Sequence, residues 1–216
     1  MNAHSQNESQ MARPKDPKNR NRRTTAILEA AATLFATKGL QDTTMQDICK
    51  AASISPGGLY RYFSGKDAII QALALHERDS VDDLTRMIET GSSLLESLDG
   101  LVADLVAYQT NPIISRLSIE FGIHAHNTRE GFEDLQASER NLAAAMVHAI
   151  QKDQAANRLP TDLCPDSVVY SLLALFDGMI TQAAFAERAV PPALTETVRR
   201  MLHIYLAPPS KGPRND

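Results

Sequence analysis

From Ile27 to Tyr205 apolar residues return every three or four positions, and no stretch alternates apolar with polar as a strand would. The pattern predicts an all-α chain. The first helix, about Asn21 to Lys38, buries Ile27, Ala31, Leu34 and Phe35, and Gly39 ends it as a C′ residue. A short helix follows from about Thr44 to Ala51, with Met45, Ile48 and Ala51 or Ala52 on one face. Thr43 or Thr44 caps it, with Gln46 or Asp47 reaching back. After a break at Ser53-Ile54, Ser55-Pro56 supplies an N-cap and a first-position proline for a helix ending at Tyr62. That helix contains Gly57 and Gly58, each costing roughly 1 kcal/mol relative to alanine. So weak a helix suits a place where backbone must come close to something else.

Ser64 and Asp67 then read as a second capping box, opening a long helix to about Glu89 with Ile70, Leu73, Val81, Leu84 and Ile88 on one side. Gly91-Ser92-Ser93 breaks it. Further helices are predicted from Leu94 to Gln109, from Ile113 to His126 (Ile113, Leu117, Phe121), and from Gly131 to Ala156 (Phe132, Leu135, Leu142, Met146, Ile150). Asp166 caps the next, 166–188, which is apolar almost all round and must therefore be covered on every side. Pro191-Pro192 precedes the last, 193–206, with Leu194, Val198, Met201, Leu202 and Tyr205. The sum is three helices, a connecting helix and five more.

Two helices joined by a tight turn form a helix-turn-helix, whose second helix enters the DNA major groove. Its outward set here is Ser55, Gly57, Tyr60, Arg61 and Tyr62. Tyrosine hydroxyls and helix N-terminal amides suit phosphate, and a guanidinium fork can read guanine. The same spacing also fits a plain helical hairpin with Tyr60 and Phe63 in the core.

From about Arg23 to Leu73 the chain resembles the DNA-binding domain of the TetR family of transcriptional regulators. The matching residues are Ile27-Leu28, Ala31, Leu34-Phe35, Gly39, Thr43-Thr44, Asp47-Ile48, Ser55, Gly57, Leu59-Tyr60, Phe63 and Lys66. Cys49 departs from the usual alanine, and Pro56 and Gly58 stand where the family varies its operator-reading residues. The resemblance implies DNA contacts from Arg22, Arg23, Thr43, Thr44, Ser55, Pro56, Gly57, Tyr60, Arg61, Tyr62 and Lys66, with Tyr60 and Lys66 on phosphates. It also implies a nine-helix plan in which the last two helices pair with those of a second copy. Val169, Leu173, Leu194, Val198, Leu202 and Tyr205 are the residues expected in that homodimer seam. The segment from Arg116 through Asp177-Gly178 also resembles the ligand domain of some members. A small effector is expected among Met87, Tyr108, Phe121, Met146, Tyr170, Phe176, Asp177 and Gln182. The expected units are a disordered basic arm at 1–20, a helix-turn-helix domain at 21–66, a ligand and dimerisation domain at 67–207 whose segment 67–90 is the connecting helix, and a disordered tail at 208–216. The connecting helix is expected to be the only rigid link between effector and reading head.

Composition agrees with a nucleic-acid module attached to something else. The chain has 216 residues, 43% of them hydrophobic, and a net charge of −4. Residues 1–66 carry ten Lys/Arg against five Asp/Glu, a net +5; the remainder carries twelve against twenty-one, a net −9. The run Arg13, Lys15, Lys18, Arg20, Arg22, Arg23 is placed to touch phosphate or the minor groove. Cys49 and Cys164 are isolated, which suggests neither a disulfide framework nor a zinc site and fits a reducing cytosol. The opening residues lack the apolar run of a signal peptide, and Val168–Ile180 is too short to span a bilayer. A cytoplasmic protein is expected.

Catalytic patterns are sparse. His124 and His126 are two apart on a helix, so they point to different sides and cannot share an ion. Arg116, Glu120 and His124 recur every four residues, most simply as a solvated face with ion pairs. Asp177 in an apolar helix needs a partner, as a ligand contact or a hydrogen-bonded bend. No nucleophile triad, phosphate loop or metal set is present, so no enzyme, metal or cofactor is expected. The expectation is a ligand-released repressor on a palindromic operator. The alternatives are a ligand-binding module of the same fold without operator recognition and, more remotely, a hydrolase using the histidines.

Overall fold

The computed structural model describes residues 17–109, 111–128, 132–185 and 191–207. Among these, nine helices and no strand are present: α1 Pro17–Lys38, α2 Met45–Ala51, α3 Pro56–Tyr60, α4 Lys66–Thr90, α5 Leu94–Gln109, α6 Pro112–Thr128, α7 Glu133–Ala155, α8 Pro165–Phe185 and α9 Leu194–Leu206. The all-α expectation holds, with shifts at the ends. Helix α1 begins inside the segment expected to be an arm. Gly39 takes φ +89°, the left-handed conformation that stops α1 and that a Cβ would strain. Helix α4 has Gly65 at its N-cap with no side-chain cap bond. The expected Ser64–Asp67 box does not form, because Ser64 lies one residue before the cap.

Two apolar cores organise the helices. The first gathers Ile27, Ala31, Phe35 and Leu40 with Ile48, Leu59, Phe63, Ile69 and Ile70, and it continues into Phe121 of α6 and Phe132 and Leu135 at the start of α7. This core crosses the expected boundary at 66/67, so the amino-terminal helices rest directly on α6. The second unites Ile88, Leu94, Leu98, Val102, Ile150, Val168, Leu172, Val198, Leu202 and Leu206. Helices α4 and α7 form the most extensive pair between described elements. Asp153, only 1% exposed, ties the second core together: its Oδ2 accepts the Leu94 amide of α5 at 2.8 Å, and its Oδ1 pairs with Arg158 at 2.6 Å. A carboxylate that deep is tolerated because both oxygens are satisfied.

Helix α8 extends the Val168–Ile180 run to 21 residues, which by length and composition alone is enough to cross a membrane, in contrast to the expectation from the shorter run; 28% of its most apolar window is buried. Val168, Val169, Leu172 and Phe176 face the subunit, whereas Tyr170 (77% exposed) and Phe185 (72%) face away. On α9, Ile204 (69%), Met201 (52%) and Tyr205 (50%) are likewise open. The residues expected in the dimer seam are placed as follows within the subunit. Val169, Val198 and Leu202 are spent within the subunit's own second core, and Leu173 and Leu194 pack half-buried against it. Of the named set only Tyr205 is exposed.

Candidate nucleic-acid interface and effector cavity

Local chemistry builds the reading head. Thr44 caps α2: its Oγ1 accepts the Asp47 amide, and the Asp47 carboxylate accepts the Thr44 amide at 3.0 Å, completing a capping box. The Lys38 ammonium, 2.6 Å away, and the Thr44 hydroxyl and amide hold the Asp47 carboxyl well below its ordinary range. Ser53 turns the chain with φ +49°. Ser55 Oγ then accepts the Gly58 amide at 3.2 Å, with Pro56 in the first turn of α3. A Cβ on Gly58 would lie 2.8 Å from the Ile54 side chain, so glycine lets α3 close onto the turn. Nothing lies within 4 Å of the corresponding point on Gly57, which opens outward.

The two faces of α3 separate cleanly. Leu59 is fully buried and Phe63 is 8% exposed, whereas Tyr60 is 56% exposed and stands outward with Pro56, Gly57 and Arg61. Phe63 is core, and Tyr60 is not. Tyr62 is half-buried against the first core. Arg22 and Arg23 are exposed on α1, with an Arg22 guanidinium nitrogen 3.4 Å from Asn19 Oδ1. Arg13 and Lys15 lie outside the described residues. Two expectations change. Thr43 is 1% exposed and donates its hydroxyl to the Gly39 carbonyl at 2.7 Å, so it shapes the turn from beneath. Lys66 donates its ammonium to the Leu40 and Gln41 carbonyls at 2.7 and 3.1 Å, where a phosphate contact had been expected.

Helix α6 holds the same turn from the other side. Glu120 Oε2 accepts the Leu40 amide at 3.1 Å, Arg116 donates to the Ala184 carbonyl of α8 at 3.1 Å, and the His124 ring sits edge-on to Phe132 at 5.6 Å. The stripe expected to be a solvated face is therefore a seam between α6 and its neighbours. Helical spacing reveals that three side chains share a side, but not what they meet.

A cavity of about 660 Å³ opens among α4, α5, α6, α7 and α8. Phe121, Met146, Phe176 and Asp177 line it, together with Leu84, Leu117, Leu142 and Leu173. Met87, Tyr170 and Gln182, expected there, are exposed elsewhere on α4 and α8: their helical phase turns them away. The Tyr108 side chain lies outside the described residues. Partial desolvation raises the Asp177 carboxyl. Desolvation, then the charges of Glu77 and Asp177, raise Glu139, with Arg140 acting in the opposite sense. A groove of about 890 Å³ between α4 and α7 is larger, but Arg86, Glu89, His148 and Lys152 line it. The smaller cavity has the apolar wall and few polar groups typical of ligand sites. Among the described residues no cluster of three or more His, Cys, Asp or Glu is placed to hold a metal ion.

An amino-terminal helix-turn-helix resting on a helical body with a central cavity matches known proteins over most of its length. The family model described as bacterial regulatory proteins, tetR family, matches residues 27–73, and that of the BetI-type transcriptional repressor C-terminal domain matches residues 95–207. The chain belongs to the TetR family. UidR of Escherichia coli K12, an HTH-type transcriptional regulator, is 35% identical to this TetR-family chain over 101 residues, 47% of the chain and 46% of that protein. The chain thus spans about half the length of the first curated relatives it matches. TtgR of Pseudomonas putida is 27% identical over 168 residues, 71% of the chain and 76% of TtgR. Among solved structures, GusR of Salmonella enterica superposes with a TM-score of 0.66 at 27% identity, covering 90% of this chain and 99% of that one. The ketosteroid transcriptional regulator KstR2 of Mycobacterium tuberculosis gives 0.69 at 20% identity, covering 85% and 92%, a likeness of fold.

Proposed function

We propose that this chain is a DNA-binding transcriptional repressor that grips a palindromic operator as a homodimer and releases it when a small, largely apolar effector enters the cavity. The observation that carries the reading is the division of α3. Leu59 anchors it, while Tyr60, Arg61 and the open Gly57 backbone face outward above a basic first helix. Tyr60 and the amides at the start of α3 suit phosphate; Arg61 suits a base edge. Arg22 and Arg23 add phosphate contacts. Dimerisation supplies the second reading head. Tyr170 and Phe185 of α8 and Met201, Ile204 and Tyr205 of α9 are exposed apolar side chains, and a second copy of the chain would cover them. An obligate interface of this kind usually buries more than about 2,000 Å². The length and apolarity of α8 follow from this covering.

Release requires an effector that prefers the form whose two heads no longer match the operator, because equal affinity for both forms shifts nothing. Two elements run from cavity to head. Helix α4 contributes Glu77, Val81, Leu84 and Ile88 to the lining and begins at Lys66, which holds the Leu40–Gln41 turn. Helix α6 contributes Leu117 and Phe121 and holds the Leu40 amide through Glu120. The turn between α1 and α2 is thus clasped by both, and α4 is not the sole link. A displacement of either helix would turn α3, and a coupling of 1–3 kcal/mol would lower operator affinity about 5- to 150-fold. Selection from a random duplex library tests the DNA reading. A palindrome with half-sites about one helical turn apart, or a multiple, is expected. No enrichment over the starting pool would leave the ligand-binding module without operator recognition as the better reading.

A further inference from the structure

Arg116 and Glu120 stand one turn apart on the same side of α6, and each holds a different neighbour. The Arg116 guanidinium donates from Nε to the Ala184 carbonyl at 3.1 Å, in the last turn of α8, where a cation suits the carbonyl end of a helix. Ala184 is buried, while Phe185 beside it is open. Glu120 Oε2 accepts the Leu40 amide at 3.1 Å, in the turn that leads from α1 into α2. That turn is also fixed from within. Gly39 keeps its left-handed φ of +89°, Thr43 donates to the Gly39 carbonyl at 2.7 Å, and Lys66 donates to the Leu40 carbonyl at 2.7 Å. With its amide and carbonyl both committed, Leu40 carries the turn along when Glu120 shifts. Helix α6 packs along both α1 and α8, and about 6 Å of its axis separates the two polar side chains.

Resting on the reading of the chain as a dimeric operator-binding protein, we propose that Arg116 is a positioning residue that, with Glu120, fixes the distance between the two reading heads. Helix α8 presents Tyr170 and Phe185 to the second copy, so the way α6 sits on α8 sets each head's place relative to the two-fold axis. Arg116 holds that seat, and Glu120 passes it to the head. Neither side chain lines the effector cavity, so the pair acts apart from effector binding. One base pair added between half-sites moves them about 3.4 Å apart and turns one against the other by roughly a tenth of a turn. Heads held by both hydrogen bonds cannot follow such a change, whereas heads freed from one of them can.

Fluorescence anisotropy on the full chain tests this with the duplex recovered by selection and two derivatives, one base pair longer and one shorter between the half-sites. The unaltered chain should prefer the selected spacing by at least about tenfold. Arg116→Met keeps the apolar stem and removes the donor, and its spacing preference should shrink by about threefold or more, the scale of one hydrogen bond. Arg116→Lys can still donate to the Ala184 carbonyl and should keep most of the preference. A merely stabilising side chain would weaken all three duplexes alike. Circular dichroism and light scattering check that each variant is folded and dimeric, and Glu120→Ala, with the same expected loss, tests the pair if Arg116→Met does not fold. An undiminished spacing preference in a folded, dimeric variant would overturn the proposal. An unaltered chain that binds all three spacings equally would also overturn it while leaving operator recognition standing. If selection recovers no duplex, operator binding itself fails and the proposal falls with it.

Discussion

Replacing Glu120 with alanine should loosen the reading head from the body without touching DNA. Glu120 Oε2 accepts the Leu40 amide at 3.1 Å, and Leu40 is only 2% exposed. Hydrogen bonds to a charged partner contribute about 1.5–3 kcal/mol, and a buried amide left unpaired costs about 1–3 kcal/mol. Glu120 is half-exposed, so solvent screening brings the expected loss to about 1–2 kcal/mol. For a protein of this size that lowers Tm by roughly 2–8 °C. Because α6 carries the acceptor and α1 leads into the donor, the loss should concentrate at the turn. Native-state hydrogen exchange of the Leu40 amide should therefore quicken roughly 5- to 30-fold. Glu120→Gln, which keeps an acceptor oxygen but not the charge, should fall between. The Leu94 amide, held by Asp153 in the second core, is the internal control and should be unchanged. If Leu40 exchanges as slowly in Glu120→Ala as in the unaltered chain, Glu120 is not the tether described here.

Ile204→Glu, placed on the open apolar face of α9, should yield folded monomers by light scattering, whereas Leu202→Arg should unfold the subunit because Leu202 belongs to its own core. Thr44→Ala should cost about 1 kcal/mol in urea unfolding through loss of the α2 cap. The depressed Asp47 carboxyl makes that cap pH-dependent. The carboxylate's share is complete above the ordinary value of 3.8 and is lost as the pH falls below it, so the stability gap between the unaltered chain and Thr44→Ala should narrow in strong acid to what the Thr44 Oγ1–Asp47 amide bond contributes. Arg23→Ala should weaken binding to every duplex and flatten the salt dependence by about one unit of slope, while Arg61→Ala should relax base preference. Lys66→Ala should instead act through the turn it clasps, lowering Tm with little change in salt slope.

Much of this fold can be read from periodicity because a helix that buries one face must repeat its apolar residues at helical spacing. Ile27, Ala31 and Phe35 mark the inward side of α1, and Gly39 marks its end by a left-handed conformation that residues with a Cβ rarely adopt. The reading head was legible for the same reason: Thr44 and Asp47, then Ser55 and Pro56, are local chemistry that folds as it reads. What periodicity leaves open is the identity of the covering surface. Val198 and Leu202 are apolar and buried, but their own subunit buries them, and the face available to a second copy is carried by Ile204, Met201 and Tyr205, one helical phase away. Long-range polar contacts are still less visible. Glu120 meets Leu40 from 80 residues away, and Arg116 meets Ala184 from 68, so no local pattern could separate them from a solvated stripe. Ser64 and Asp67 have the spacing of a cap, yet the helix starts one residue too late to use it.

The most direct test of the central claim is fluorescence anisotropy of the selected duplex, titrated with the full chain beside a scrambled duplex of the same composition at several salt concentrations. Two subunits, or a multiple of two, are expected per duplex. The affinity should be at least about 10³-fold above that for the scrambled sequence, with log K falling linearly with log salt. Equal affinity for the two duplexes at every salt concentration would contradict that claim.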